Sequence, residues 1–403
     1  MSCASNLLDT LTLDTSTLYM RDVSIIGVGQ TPVREHWEKS LRALAVDAVL
    51  AAMQDAHVDE IDALYVGNML GGELTRQEHL GALIADQLGM SGIAALKVEA
   101  ACGAGGSAVH AAHLAVASGQ YRRVAVVGVE KMTDLWNGSV TAGLAMAADG
   151  EYEAANGISF VGLNALMMRR YMYEYDMVEE DFAPFALNAH ANAVNNPNAM
   201  FRTAVTIEQF TKAKKVADPI SLFDSSPICD GAAAVILSRS ENLNGNAARA
   251  IKIAASTIAT DTLALHDRQD PLWLRAVELS SIKAYAQAGV TPQDIDLFEL
   301  HDAFSIVAPM SLEAAGFAQR GTGAYLARDG GISIHGKLPI STMGGLKARG
   351  HPIGASGVYQ VVEAVQQLRG EAGKNQVPSA RVAMTQSLGG VAATAVTHIL
   401  KGK

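Results

Sequence analysis

Residues Leu96–Ser118 read LKVEAACGAGGSAVHAAHLAVAS. Leu96–Ala101 has the character of a short strand, and from Gly103 to Ser118 every residue is Gly, Ala, Ser, Val, Leu or His. One thiol, Cys102, stands where the strand gives way to the helix. A strand running straight into a helix is the unit from which α/β layers are built. A helix with so little side-chain bulk is suited to lie close against neighbouring backbone.

The pattern continues on both sides. Val23–Gly29 and Ala63–Asn68 read as strands, with helical stretches over Arg42–Ala56 and around His79–Leu88. Arg123–Val129 and Ala232–Ser238 add two more apolar runs. The order then repeats. Ala250–Ile258 is strand-like, Leu272–Ala288 helical, Ile295–Glu299 a strand and Ile306–Ala315 a helix. A turn-rich strand around Pro339–Met343, a helix over Ala355–Leu368 and strands Arg381–Gln386 and Ala393–Leu400 complete the second half. So long a period means a duplicated domain and not a solenoid. Between Met132 and Phe223 the alternation breaks into an Asn-, Met- and Tyr-rich, largely helical insertion. The expected division is an N-terminal extension over 1–20, a first half over 21–131 and 224–248, a loop domain over 132–223, and a second half over 249–403. No low-complexity linker separates the halves, so they are expected to pack tightly.

Composition bounds the function. The chain has 403 residues, 49% hydrophobic, 18% charged and only 5% aromatic, enough apolar material for large buried layers. A net charge of −10 and the lack of any basic run exclude an ordinary nucleic-acid binder. The three cysteines, Cys3, Cys102 and Cys229, form neither a metal-ligand pair nor a disulfide framework and suit a reducing compartment. The first twenty residues lack a basic n-region, and no apolar run is long enough to span a bilayer. A cytoplasmic protein without a membrane partner is expected.

Four segments carry chemistry. Cys102, at a helix N-terminus, sits where the positive end of the dipole favours thiolate; the same residue also reads as a buried structural cysteine. In GGLKARGHPIGASG (Gly344–Gly357), Pro352 biases His351 away from helical geometry and places it in a constrained turn, either as a base for a nearby thiol or as a satisfied loop histidine. In ELHDAFS (Glu299–Ser305), His301 and Asp302 lie at a strand end, the usual place for functional side chains in α/β folds, although a capping Asp beside an ordinary histidine reads equally well. In TQSLGG (Thr385–Gly390), glycine amides could face a substrate oxygen.

These motifs, in this order, resemble the thiolase superfamily, and SSPICDGAAAVIL (Ser225–Leu237) is similar to the signature closing that family's first half. The HDAF form and GISFVGLNALMMRRYM (Gly157–Met172) resemble the SCP2-type and archaeal acetyl-CoA C-acetyltransferase branch. The resemblance covers nearly the whole chain from Val23. It implies an α/β thiolase fold: duplicated β-α-β-α-β-α-β-β halves in five α-β-α-β-α layers, with the loop domain inserted. It also implies acyl-CoA C-acyltransferase activity by a ping-pong route, ending in Claisen condensation or, in reverse, thiolysis of a 3-ketoacyl-CoA.

By motif, Cys102 would take the acyl group, His351 would activate it, and His301 would help order one oxyanion hole. The amides of Cys102 and Gly389 would form the second hole. Coenzyme A thioesters would be substrates, with no cofactor and no metal. The family further implies a homodimer or homotetramer, and relatives of this branch associate with a DUF35-type OB-fold partner and a neighbouring synthase.

Two departures stand out. Ser387 occupies the position of a second, acid/base cysteine, and Ala303 that of the cysteine in the HDC form. A hydroxyl is a far weaker base than a thiol, so another group must deprotonate the second substrate: His351, His301 or a loop-domain residue. The alternatives are transfer to a non-thioester acceptor, or a lyase or scaffold subunit of a DUF35-containing complex. Lys347 and Arg349 read as exposed-loop cations, either solvated or facing coenzyme A phosphates. His110 and His113, at helical spacing on the Ala-rich helix without a matching carboxylate, do not read as a metal site. Gly27-Val-Gly29 lacks the third glycine of a dinucleotide fingerprint, and Cys229 reads as packing.

Overall fold

A computed structural model describes residues 21–243 and 245–403. The expected 1–20 extension and Cys3 lie outside the described residues. The first half supplies strands β1 (Val23–Gln30), β2 (Ala63–Gly67), β3 (Ala94–Val98) and β4 (Arg123–Glu130). A small hairpin, β5 (Lys215–Ala217) and β6 (Ile220–Ser221), precedes β7 (Gly231–Arg239). The second half supplies β8 (Ile251–Thr260), β9 (Leu297–Glu299), β10 (Val382–Gly389) and β11 (Thr394–Lys401). Nine of these join in the order β3-β2-β4-β7-β1-β8-β11-β10-β9.

That order is the duplication made physical. The first half reads inward to β1 and the second outward from β8, and the halves are stitched where Ser24 and Ile25 pair antiparallel with Lys252 and Ile251. Within each half the parallel pairs β2/β4 and β9/β10 occupy equivalent places. The expected strand at Pro339–Met343 is reduced to one parallel bridge between Phe298 and Ile340. The chain turns away at Ser341, which adopts φ 48°, a left-handed conformation that breaks a ladder.

Two helices lie between the sheet halves: Ala104–Ala117, in contact with β2 and β4 on one side and β8 and β10 on the other, and Ile353–Arg369, in contact with β4, β7 and β10. The helix Leu41–Asp55 covers the outer face of the first half, and Arg275–Ala288 that of the second. The succession helix, sheet, helix, sheet, helix is the expected five layers. The middle layer is thin because it is built of small residues. A Cβ on Gly105 would lie 2.6 Å from the carbonyl oxygen of Gly354, and one on Gly357 would run into the amide of Gly106. The two helices therefore meet backbone to backbone, and the turns at their N-termini are held close.

Residues 132–223 carry the helices Asn137–Ala145, Phe160–Tyr175, Ala183–Ala193 and Ile207–Thr211 beside the β5/β6 hairpin. The apolar face of Phe160–Tyr175, with Leu163, Met167, Met168 and Tyr171 buried, packs into the same core as Phe298, Phe304 and Leu388 of the second half. Among the described residues no helix is long and apolar enough to cross a membrane.

Candidate active site

The strand before Cys102 ends earlier than its sequence suggests. β3 stops at Val98, and Glu99–Cys102 forms a tight turn in which Gly103 N–H donates to the Ala100 carbonyl at 2.9 Å. Ala101 holds φ 49° there. A left-handed alanine costs of order 1 kcal/mol, and here it turns the chain from sheet to helix with Cys102 at the bend. The cysteine lines a cavity of about 400 Å³ together with His301 and His351.

The cavity is assembled from every part of the chain. Met132, Asn137, Thr141, Leu144, Ser159, Phe160 and Val161 come from the insertion, Ser226–Ile228 from the segment before β7, and Ala303, Phe304 and Ile353 from the second half. No Asp, Glu, Lys or Arg is among its lining residues, and Cys102, His301 and His351 are the titratable side chains there. Any proton transfer inside it must run through those three.

Burial governs their charge. It pushes the Cys102 thiol up to about 12, helped by the carboxylate of Glu130, so the resting group is a thiol. The helix-dipole expectation of a depressed thiol is overturned, because desolvation of a buried thiolate outweighs the partial charge of the helix end. Burial likewise drives His301 down to about 3 and His351 well below its ordinary value, the latter with the unfavourable nearness of His301 and Arg349. Both rings are neutral, and they stand perpendicular with centroids 5.0 Å apart.

Neutral rings have tautomers, and a backbone hydrogen bond sets that of His301. His301 Nδ1 accepts the amide hydrogen of Leu388 at 3.3 Å, which leaves its proton on Nε2. His351 Nδ1 lies 2.7 Å from Ser356 Oγ, whose own hydrogen has an acceptor in the Pro352 carbonyl at 3.5 Å. The contact with Ser356 holds the His351 ring in place on its Nδ1 side and leaves Nε2 without a protein partner.

The surrounding supports were invisible in the motifs. Glu130, fully buried at the end of β4, accepts from the side chain of Asn68 at 2.5 Å and from the amides of Met69, Leu70 and Gly354 at 2.8–3.0 Å. It ties the first half to the first turn of the helix that follows His351. Burial, opposed by those amides, pushes its carboxyl up to about 7. Its signal was a charged residue closing the apolar run Val124–Val129. Asp302 accepts from Leu346 N–H at 2.7 Å and from Ser341 Oγ at 3.1 Å, anchoring the turn between Gly344 and Gly350.

Several sequence expectations change. Lys347 and Arg349 are 1% and 0% exposed, so neither is a loop cation. Lys347 Nζ donates to the Asp224 carbonyl at 2.6 Å, and Arg349 pairs with Glu363 at 2.9 Å beneath Tyr359. Ser387 Oγ donates to the Cys102 carbonyl at 3.4 Å and is not among the lining residues of the cavity. A Cβ on Gly389 would overlap the Ala100 carbonyl, so only glycine brings that strand end against the cysteine turn. Cys229 is fully buried under Gly350 and Val33, as packing. His110 hydrogen-bonds Ser256 at 2.9 Å, and His113 is buried.

Residues 23–241 match the thiolase N-terminal domain family and residues 257–402 the thiolase C-terminal domain-like family. The chain belongs to the thiolase family. It is 46% identical to the acetyl-CoA acetyltransferase of Methanothermobacter thermautotrophicus, over 94% of this chain and 99% of the relative. It is 41% identical to that of Methanocaldococcus jannaschii, over 95% and 100%. Among solved structures, the thiolase is similar to a chain of the Ltp2–ChsH2(DUF35) aldolase with a TM-score of 0.81 and 25% identity, over 94% of this chain and 98% of that one. The five-layer fold implied by the resemblance of its motifs is the thiolase fold.

Proposed function

We propose that this thiolase is an acetyl-CoA C-acyltransferase working through an acetyl thioester on Cys102. The observation that carries the reading is one buried cavity whose only titratable lining residues are a thiol and two imidazoles, one of them with a free N–H.

In the first half-reaction the Cys102 proton passes to His351 Nε2 as sulfur attacks the thioester carbonyl. The oxyanion is held by the amides of Cys102 and Gly389. Its collapse breaks the carbon–sulfur bond to coenzyme A, whose thiolate takes the proton back from His351. A preformed thiolate is unnecessary, because attack and proton transfer are coupled. In the second half-reaction His351 Nε2 takes the α-proton of a second acetyl-CoA, and His301 Nε2–H stabilises the enolate oxygen. The new carbon–carbon bond forms at the acyl carbonyl, the bond to Sγ breaks, and Cys102 regains its proton. Thiolysis is the same sequence reversed. The absence of other ionisable lining groups supports giving His351 both proton transfers and leaving Ser387 out of them.

The test is mass detection of a 1:1 acetyl adduct after mixing with acetyl-CoA. The adduct is expected on Cys102 and absent in Cys102→Ser. Folded protein that forms no adduct overturns the reading.

A second reading, in which the chain transfers its acyl group to a non-thioester acceptor or serves as the thiolase-like subunit of a lyase complex, is favoured by its likeness to the Ltp2–ChsH2(DUF35) aldolase. It predicts an acyl-enzyme without acetoacetyl-CoA formation, and gain of activity on adding a DUF35-type OB-fold partner. The open edge of β3, with Ala94 and Leu96 exposed, supports a homodimer or homotetramer; sedimentation of the purified chain tests the assembly.

A further inference from the structure

The parallel ladder between β9 and β10 ends at the pair Glu299–Thr385. Beyond it one chain continues through Leu300 to His301, and the other through Gln386 to Leu388 and Gly389. Carbonyls that a longer ladder would have satisfied need other donors there, since a buried unpaired carbonyl is costly.

One side chain supplies those donors. Gln360 stands in the helix Ile353–Arg369, which follows the turn that holds His351. Its Nε2 donates to the carbonyls of Leu300 at 2.9 Å, Gln386 at 3.0 Å and Glu299 at 3.1 Å. Two hydrogens thus serve three carbonyls, one of the hydrogens being shared. The residue is 1% exposed, and its Oε1 has no hydrogen-bond partner among the described residues. Turning the amide over would set that oxygen against three carbonyl oxygens, so the contacts themselves fix its orientation. An apolar side chain would fill the same space without burying an unpaired acceptor. What the amide adds is a link between three segments.

Those segments carry the site. Leu300 precedes His301, Gln386 lies on the stretch that leads to Leu388 and Gly389, and the helix begins just after His351. The bond from Leu388 N–H to His301 Nδ1 crosses the same gap at 3.3 Å. We propose that Gln360 is a positioning residue for the acyl transfer: it fixes His301 and the Gly389 amide relative to each other, and both relative to His351. The inference rests on the acetyltransfer reading above and extends it to a residue outside the cavity, whose lining Gln360 does not join. Groups displaced by ~1 Å from a working geometry can lose about 100-fold in rate.

Gln360→Met keeps the length of the side chain and removes both donors. In protein shown to be folded by its denaturant midpoint, kcat for acetoacetyl-CoA formation should fall about tenfold while KM for acetyl-CoA stays within about twofold. Hydrogen exchange at the Leu388 amide, read by mass spectrometry of the peptide that contains it, should quicken about tenfold. Should that variant fail to fold, Gln360→Glu carries the same test. A buried carboxyl stays protonated and keeps one donor, so both changes should appear at about threefold. Unchanged kcat in a folded variant, a rise in KM in its place, or lost rate with wild-type exchange at Leu388 would each overturn the inference. The acetyltransfer reading fails by a different result, no adduct on Cys102 of the wild-type chain. Exchange at Leu388 would then still decide whether Gln360 holds the two strand ends together.

Discussion

His301 Nδ1 accepts the amide hydrogen of Leu388, the penultimate residue of β10, at 3.3 Å. The contact joins the strand end that carries Gly389 to the ring that faces the cavity, and it sets which ring nitrogen can donate. His301→Asn keeps a donor and should retain more turnover than His301→Ala. The alanine variant should lose about 100-fold in kcat with a smaller change in KM, since the donor acts on developing charge. Steady-state kinetics in the condensation direction measures both; equal losses would remove the oxyanion role from His301.

His351 depends on Ser356 for its position. Ser356→Ala removes the partner of Nδ1 and leaves the ring unheld on that side. Acetylation of Cys102, followed by rapid-quench mass spectrometry, should slow about tenfold, and His351→Ala should slow it by 100-fold or more, within the usual range for a general base. Unchanged acetylation in Ser356→Ala would show that the ring is held otherwise.

The electrostatics give a pH signature. A thiol pushed up to about 12, with no cationic imidazole beside it, reacts with a small alkylating agent only through its thiolate fraction. The rate of Cys102 alkylation should therefore rise about tenfold per pH unit across pH 6–9. A plateau near neutrality would instead reveal a thiolate–imidazolium pair.

Glu130 should leave its mark on stability. Its folded-state carboxyl is pushed up from 4.5 to about 7, so the folded protein holds a proton that the unfolded chain releases. The stabilisation is fully present below pH 4.5 and is lost as pH rises through about 7. The shift corresponds to roughly 3 kcal/mol. Denaturant midpoints for Glu130→Gln should be flatter than wild type across that window, because the amide no longer titrates.

Backbone contact in the middle layer is a further constraint. Gly105→Ala places a methyl 2.6 Å from the Gly354 carbonyl, which must move. A loss of about 1–3 kcal/mol is expected, together with slower Cys102 acetylation, because the helices that follow Cys102 and His351 are pushed apart. Loss of stability without loss of rate would uncouple the packing from the site. Arg349→Ala, leaving Glu363 buried and unpaired, should cost about 3–5 kcal/mol in the same assay.

The sequence alone determined the layered α/β pattern and the duplication, because apolar runs alternating with helices are local signals. Cys102, His301 and His351 each kept a bland local reading and were singled out together by the resemblance of their motifs to the thiolase superfamily. The sequence located strand limits less well at Cys102, since the left-handed Ala101 is imposed by packing and an alanine carries no mark of it. Tertiary structure decided the rest. Whether Lys347 and Arg349 meet water depends on the layers stacked over them, and their buried partners lie at Asp224 and Glu363. The ionisation of Cys102 was decided there too: a helix end alone favours thiolate, but only the assembled cavity sets the desolvation that overrides it. Motifs can name a nucleophile and its base; the dielectric around them, and so their charge, exists only once distant segments have closed over them.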